Sequence, residues 1–465
     1  MSVTVNIRMY NQKNLGDCFL LKFTNSKNEE AYYLIDFGSY TSGNDKREKE
    51  IAENIKAILG DKKLTIIVTH QHKDHLSGFV SAGDMLKNKN AERALWLSFL
   101  DDESSEEGQI IRSTTEKYWK KSKKVNTLLE QKFTGVPLVD NMLNQKKVYD
   151  LFAEDQTTGK AMTKLLEIAQ NNVTFLTPGQ NFPLPGLSEG VNVYVLGPPY
   201  SNELLTKMDP TKTEGVEGLN ATMEMANLDI SGSLMLDALE NMPAGSESGT
   251  GKIFRETDFP FSRNFIDNNP DSRPKKEYYD QANEYRQIDH EWLSEIGRLA
   301  LHMDKFTNNT SLVLAFELVE SKKVLLFVGD AQIGNWQSWF NVKFIDSAVT
   351  GKDLLSRTIL YKAGHHSSHN ATLKQGLDLM NEKELIIMVP VEKESAKPFK
   401  MLKPGMLTGY NRKSQGRVLR SDTVEQDGND LVTKYPFVTR NQLPNLTITP
   451  DSTGSHLSME LEIKG

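Results

Sequence analysis

The stretch TIIVTHQHKDHLSG, residues 65–78, limits what this chain can fold into more than any other part of it. Thr65, Ile66, Ile67 and Val68 form a short run of β-branched and apolar residues, the pattern of a strand buried on both faces. His70, His72, Asp74 and His75 follow at once. A buried strand delivers its last residue to a fixed place, so imidazoles in the next turn are set to converge on one point. Three histidines and an aspartate within six positions offer the nitrogen and oxygen donors that zinc, manganese and iron accept. The alternative, ordinary polar loop residues, does not account for such a concentration at a strand exit.

The surrounding pattern alternates strands with helices, which indicates an α/β architecture. MSVTVNIRMYNQ alternates apolar Val3, Val5, Ile7 and Met9 with polar neighbours, a strand and not a signal peptide. CFLLKF and AYYLIDFG read as two further strands. Ile51, Ile55, Ile58 and Leu59 share one helix face, and Gly60 follows as its stop. From Asp101 to Gln180 the chain turns charged and helix-favouring, and from Ser201 to Asn283 it carries an insertion with a loop at AGSESGTGK. A helix is expected through Trp292, Leu293, Ile296, Leu299 and Ala300. SLVLAFEL, KVLLFVGD, TILYKAGHH and LIIMVPV return to strand character, with a helix containing Leu377 and Met380 before the last. HLSMELEIKG is expected as an edge strand at the end.

Composition excludes several classes. The 465 residues include 55 basic and 62 acidic ones, a net charge of -7, so a polyanion would have to be met by a local patch or by metal ions. No segment approaches the roughly 20 apolar residues that span a bilayer. The single cysteine, Cys18, rules out an internal disulfide and a cysteine-based zinc cluster, and a reducing cytoplasm is the expected location. SESGTGKI departs from a phosphate loop at Ser246 and Ile253. His290 and His302 fall on helical pattern and read as packed helix histidines, Cys18 reads as core, and Trp336 and Trp339 share one helical face. The basic runs KYWKKSKK and YNRKSQGR read as solvated faces before phosphate contacts.

THQHKDHLSG resembles the HxHxDH signature of metallo-β-lactamase-fold hydrolases. LGDCFLLKF, YYLIDFG, VYVLGPP, NNTSLVLAFEL, VLLFVGDA and LYKAGHHSSHNAT follow in the order of the branch related to the DNA-internalisation competence protein. The resemblance covers residue 3 to about 100, then 191–199 and 309–391. It implies an αββα sandwich, two mixed sheets flanked by helices, as a hydrolase domain over residues 1–400. The helical segment 101–180 and the insertion 201–283 interrupt it, and residues 401–465 form an extension packed on the core.

The resemblance also implies roles. His70 and His72 would bind one metal, Asp74 and His75 the other, and Asp330 would bridge both. One of His365 and His366 would complete the second site. His365 is favoured because the position nearest the strand is best fixed, and since adjacent strand residues point to opposite faces, His366 is left to orient a ligand or contact substrate. His369 would lie farther out, and Asp36 would accept a hydrogen bond from a ligating histidine. The wider fold often supplies a further histidine to the first metal, but none stands between His75 and His290 here. Solvent or an amide would take that place, in a weaker site. Ser367 also stands where the branch commonly has glycine.

The expected chemistry is hydrolysis by a metal-bound hydroxide at two Zn²⁺ ions, or Mn²⁺ in their place, with Asp74, His365 and His366 as catalytic residues. The favoured activity is a phosphodiesterase or nuclease acting on DNA or RNA, with no membrane partner. The alternatives are a small-molecule hydrolase of a cyclic nucleotide, other phosphodiester or lactone, and a metal-binding effector or scaffold in a multi-protein system.

Overall fold

Strand β1 (Thr4–Tyr10) buries Val5, Ile7 and Met9 on alternate positions, which fixes its inward face. It pairs antiparallel with β2 (Cys18–Thr24), and β2 with β3 (Glu30–Phe37). From β3 onward the pairing is parallel: helix α1 (Asp45–Leu59) crosses to β4 (Leu64–Ile67), α2 (Lys73–Ser81) to β5 (Arg93–Ser98), and α3 (Gln156–Ala169) to β6 (Val173–Leu176). The second sheet is built from β7 (Asn181–Pro183), β8 (Val191–Gly197), β9 (Val313–Leu318), β10 (Val324–Phe327), β11 (Thr358–Lys362), β12 (Ile386–Val389) and β13 (Val418–Arg420). There β7 to β10 pair antiparallel and β10 to β13 parallel. The strand β14 (Leu446–Pro450) and then β15 (His456–Lys464) return to the first sheet, whose order is β14-β15-β1-β2-β3-β4-β5-β6.

The computed structural model describes residues 2–40, 44–113, 156–207, 209–211, 213–216, 306–397, 401–423 and 445–465, with isolated residues at 120, 124, 127, 269, 272, 273, 276 and 443. The chain divides into a unit of Met1–Ile111, Leu151–Thr222 and Lys305–Gly465, and a second of Arg112–Asp150 and Met223–Asp304. Nearly all of the second, with the expected helix at Trp292–Ala300, His290, His302, the 244–252 loop and most of KYWKKSKK, lies outside the described residues.

The two mixed sheets face each other. Phe19, Phe23, Tyr33 and Ile35 of the first meet Val193, Leu314, Phe316 and Phe327 of the second, with Phe23 and Phe316 ring centroids 5.5 Å apart. Each such buried side chain contributes about 1.5–3 kcal/mol. The outer face of the first sheet packs Leu20, Leu34, Ile66 and Leu95 against Ile51 and Ile55 of α1, Phe79 of α2 and Leu165 of α3. Covering on both faces is why these strands read as continuous apolar runs. On the second sheet, Tyr361 of β11 stacks edge-on with Trp336 and with Tyr410, and Trp336 lies 4.1 Å from Trp339. Both tryptophans are fully buried, so they pack the core. Cys18 is buried too.

HLSMELEIKG is not an edge strand. β15 lies between β14 and β1, pairing with both along its length, because LTITP upstream supplies the true edge. LTITP is largely solvent-facing and lacks an apolar alternation strong enough to mark it. Residues 401–465 thus contribute β13 to one sheet and β14 and β15 to the other. Among the described residues no helix is long and apolar enough to cross a membrane.

Candidate metal centre

The parallel half of each sheet aims the carboxyl ends of its strands at the same place, where ligands of open α/β sheets commonly sit. β3 carries Asp36 one residue before its end, β4 runs into Thr69–His75, β10 into Asp330, and β11 into His365–Ser367. Asp36 occupies a bulge opposite Cys18 and Phe19 with φ 54°, which turns its carboxylate under the next strand end. Gly329 has φ 53°, and a Cβ there would come within 2.7 Å of Thr69, so only glycine lets the two strand ends approach. All seven of His70, His72, Asp74, His75, Asp330, His365 and His366 are buried.

Hydrogen bonds fix which ring nitrogen of His75 and of His366 carries a proton. Asp36 Oδ1 accepts from the Thr69 amide at 2.8 Å, and its Oδ2 accepts from the Thr69 hydroxyl at 2.7 Å and from His75 Nδ1 at 2.8 Å. His75 therefore holds its proton on Nδ1 and turns Nε2 toward Asp330 Oδ2 at 3.4 Å and Asp74 Oδ2 at 3.7 Å. His366 repeats the arrangement. Its Nδ1 lies 2.7 Å from the Pro390 carbonyl, which can only accept, so Nε2 is the atom left facing Asp74 Oδ2 at 2.8 Å. A bare lone pair opposite a carboxylate is repulsive; a positive group on or between them is needed, a proton or a metal ion. This is the arrangement by which a hydrogen-bonded partner orients a metal-binding imidazole.

Asp330 is held as firmly. Its Oδ1 accepts from the His365 amide at 2.9 Å and from Lys362 Nζ at 3.3 Å, and its own amide donates to Ser311 Oγ at 2.9 Å, which leaves Oδ2 toward His75. Lys362, itself buried, also donates to the Gly329 carbonyl at 2.7 Å and pairs with Asp17. Asp17 and Asp330 thus share this buried lysine, while Asp36 faces His75 and Asp74 faces His366.

The charge states follow from these neighbours. Burial opposes a charged His75, but Asp330, Asp74, Asp36 and Asp17 outweigh it and raise its pKa well above the ordinary value. For His366 burial is likewise outweighed, by the Asp74 hydrogen bond and the field of Asp330. Burial works against the Asp330 anion, yet His75 and Lys362 bring its pKa well below the usual range, and Asp74 is lowered in the same way by His75 and His366. Burial pushes His72 and His365 down to about 4, and His70 well below its usual value. These three are neutral imidazoles at pH 7, the form that binds metals.

Among the described residues, two groups of donor atoms lie within 4.8 Å of one another: Asp74, His75, Asp330 and His366, and Asp17, Asp36 and His75. In the second, Asp36 is engaged by His75 and Thr69, and Asp17 by Lys362. The first is placed to hold a metal ion. His75 Nε2 and Asp74 Oδ1 are buried without a hydrogen-bond partner, and an ion between them would satisfy both.

The compact group contains His366 and not His365, the residue nearer the strand that the sequence favours. Residues 365–367 are a 3-10 turn and not strand, with φ of 42°, 46° and 65°. Three left-handed residues in succession swing His366 inward and leave His365 Nε2 3.4 Å from Asn308 Nδ2. Ser367 itself takes one of these left-handed conformations, where glycine would carry no strain. His70 and His72 lie beside the group, their rings 4.7 Å apart, with His70 and His75 rings at 4.2 Å. His369 is partly exposed and pairs with Asp209 at 3.2 Å. Asp17, Lys362 and Asn308 were not singled out by sequence reasoning. Asp17 in LGDCF and Lys362 in LYKAGHH each look like a strand-end polar residue until the two sheets bring them together. No family model, curated protein or solved structure matches the chain.

Proposed function

We propose that the protein is a metal-dependent hydrolase of the metallo-β-lactamase fold, acting as a phosphodiesterase on DNA or RNA. The observation that carries the hydrolase reading is the pair of imidazoles, His75 and His366, locked by Asp36 and Pro390 so that both Nε2 atoms face the carboxylates of Asp74 and Asp330. Zn²⁺ or Mn²⁺ suits this set of nitrogen and oxygen donors. A bound ion of this kind lowers the pKa of water and neutralises charge on a phosphoryl oxygen. Asp74, whose Oδ1 is buried without a hydrogen-bond partner, would hold the ion and steer the water on it. Lys362 and the His365 amide hold Asp330 so that its other oxygen stays inward. His365, whose buried Nδ1 has no hydrogen-bond partner, would orient a ligand or contact substrate. The phosphodiester assignment rests on the motif order shared with the competence-protein branch.

The test is a hydrolysis screen with plasmid DNA, RNA and chromogenic phosphodiesters, with Zn²⁺ or Mn²⁺ added and Asp74→Ala as control. Cleavage by the wild type that the variant loses is the expected result. Absence of hydrolysis of every phosphodiester by metal-loaded protein would refute the substrate class.

A further inference from the structure

Beside the carboxylate-rich group, three donor atoms form a nearly equilateral triangle. His70 Nε2 lies 3.1 Å from His72 Nδ1, and Asn308 Oδ1 lies 3.1 Å from the first and 3.0 Å from the second. The tautomer of His70 can be worked out. Its Nδ1 faces the hydroxyls of Thr69 at 3.1 Å and Ser311 at 3.3 Å. The Thr69 hydroxyl hydrogen goes to Asp36 at 2.7 Å, and that of Ser311 to the Asn308 main-chain carbonyl at 2.7 Å. Neither hydroxyl has a hydrogen left to donate, so His70 Nδ1 is the donor and Nε2 carries a lone pair. That lone pair faces the side-chain carbonyl of Asn308, which also has none to give.

A proton on His72 Nδ1 would point at one of the two acceptors and leave the other facing a lone pair, whereas a cation at the centre of the triangle serves all three atoms. Donors about 2.1 Å from one transition-metal ion stand about 3.0 Å apart at right angles and about 3.4 Å apart at the tetrahedral angle, so the triangle lies within about 0.4 Å of either. The amide is also built into the frame. Ser311 links the Asn308 carbonyl to the Asp330 amide, and His365 Nε2 faces Asn308 Nδ2 and so keeps Oδ1 turned toward the histidines. This gives His365 a positioning role through the amide.

We infer that Asn308 supplies the oxygen ligand completing a first cation site with His70 and His72, in the place left by the missing histidine. The inference rests on the metal reading above and extends it. This site has two neutral imidazoles and an amide, while the neighbouring group brings the carboxylates of Asp74 and Asp330. Ligand charge raises affinity for a divalent ion, so the two sites load in order, the carboxylate site first and the amide site second.

The experiment is calorimetric titration of Zn²⁺ into chelator-treated full-length protein, with bound metal counted after dialysis. The wild type should show two events of unequal affinity. Asn308→Ala should weaken the weaker event about tenfold or more and leave the tighter one unchanged, while Asn308→His should tighten the weaker event about tenfold. The unchanged tight event doubles as the folding control. Two events unaltered by Asn308→Ala would overturn the assignment and leave the metal reading standing. No binding to the wild type at all would overturn both. If Asn308→Ala loses both events, Asn308→His decides: a weaker event tighter than wild type supports the site, and one no tighter overturns it.

Discussion

Replacing Lys362 by methionine should expose how much the buried charge cluster depends on a cation. The ammonium is 2% exposed and lies 3.3 Å from Asp330 Oδ1 and 2.7 Å from the Gly329 carbonyl, with Asp17 as its closer ionic partner. At an effective dielectric of about 20, one such charge pair is worth about 5 kcal/mol before desolvation. Burying the lysine costs part of that, and removing one partner of a buried pair typically costs about 3–5 kcal/mol because the other charge is left alone. Methionine keeps the length and volume of the chain, so packing is nearly unchanged. Without metal, Lys362→Met should therefore lose about 3–5 kcal/mol in urea unfolding. A divalent ion supplies positive charge to the same carboxylates. Zn²⁺ at about 100 times its Kd stabilises either form by about 2.7 kcal/mol, so the gap to wild type narrows in zinc only as far as the variant binds the ion more tightly. The reasoning fails if metal-free Lys362→Met stays within about 1 kcal/mol of wild type.

Asp36→Asn would set an amide NH₂ against donors from Thr69 and His75, so zinc affinity should fall about 10–100-fold with the fold retained; calorimetry and circular dichroism check this, and unchanged affinity would contradict it. The pKa values of His75 and His366 are raised, so each holds a proton that an entering ion must displace. Zinc affinity should accordingly climb as pH rises toward those folded-state values, and a flat profile between about pH 6 and 8 would count against the assignment. Phe316, fully buried between Phe23, Tyr33 and Phe327, should cost about 3–5 kcal/mol when cut to alanine, measured by urea unfolding; a loss under about 1 kcal/mol would mean the sheets do not pack as described.

Much of this architecture is legible in the sequence because its signals are local. The run Ile66–Val68 followed by His70, His72, Asp74 and His75 is contiguous, and a strand exit needs no tertiary information to be recognised. The alternation in β1 and the helical face of Ile51 and Ile55 are local in the same way. The choice between His365 and His366 was not legible, because it turns on left-handed backbone at residues 365–367 that no side-chain pattern announces. Asp17 and Lys362 escaped for a different reason: each is an ordinary polar residue at the end of a strand, and only the facing of the two sheets makes a buried ion pair of them. Asn308 sits in NNTSLVLAFEL, whose strand pattern drew attention away from the amide before it. The place of β15 depended on a weakly patterned neighbour, β14.

Anomalous diffraction from crystals of the full-length protein grown with Zn²⁺ or Mn²⁺ tests the metal centre most directly. The strongest peak should lie among Asp74, His75, Asp330 and His366, with both imidazoles bound through Nε2. Metal-loaded crystals with no peak there, or with His75 and His366 turned to direct Nδ1 inward, would contradict the account.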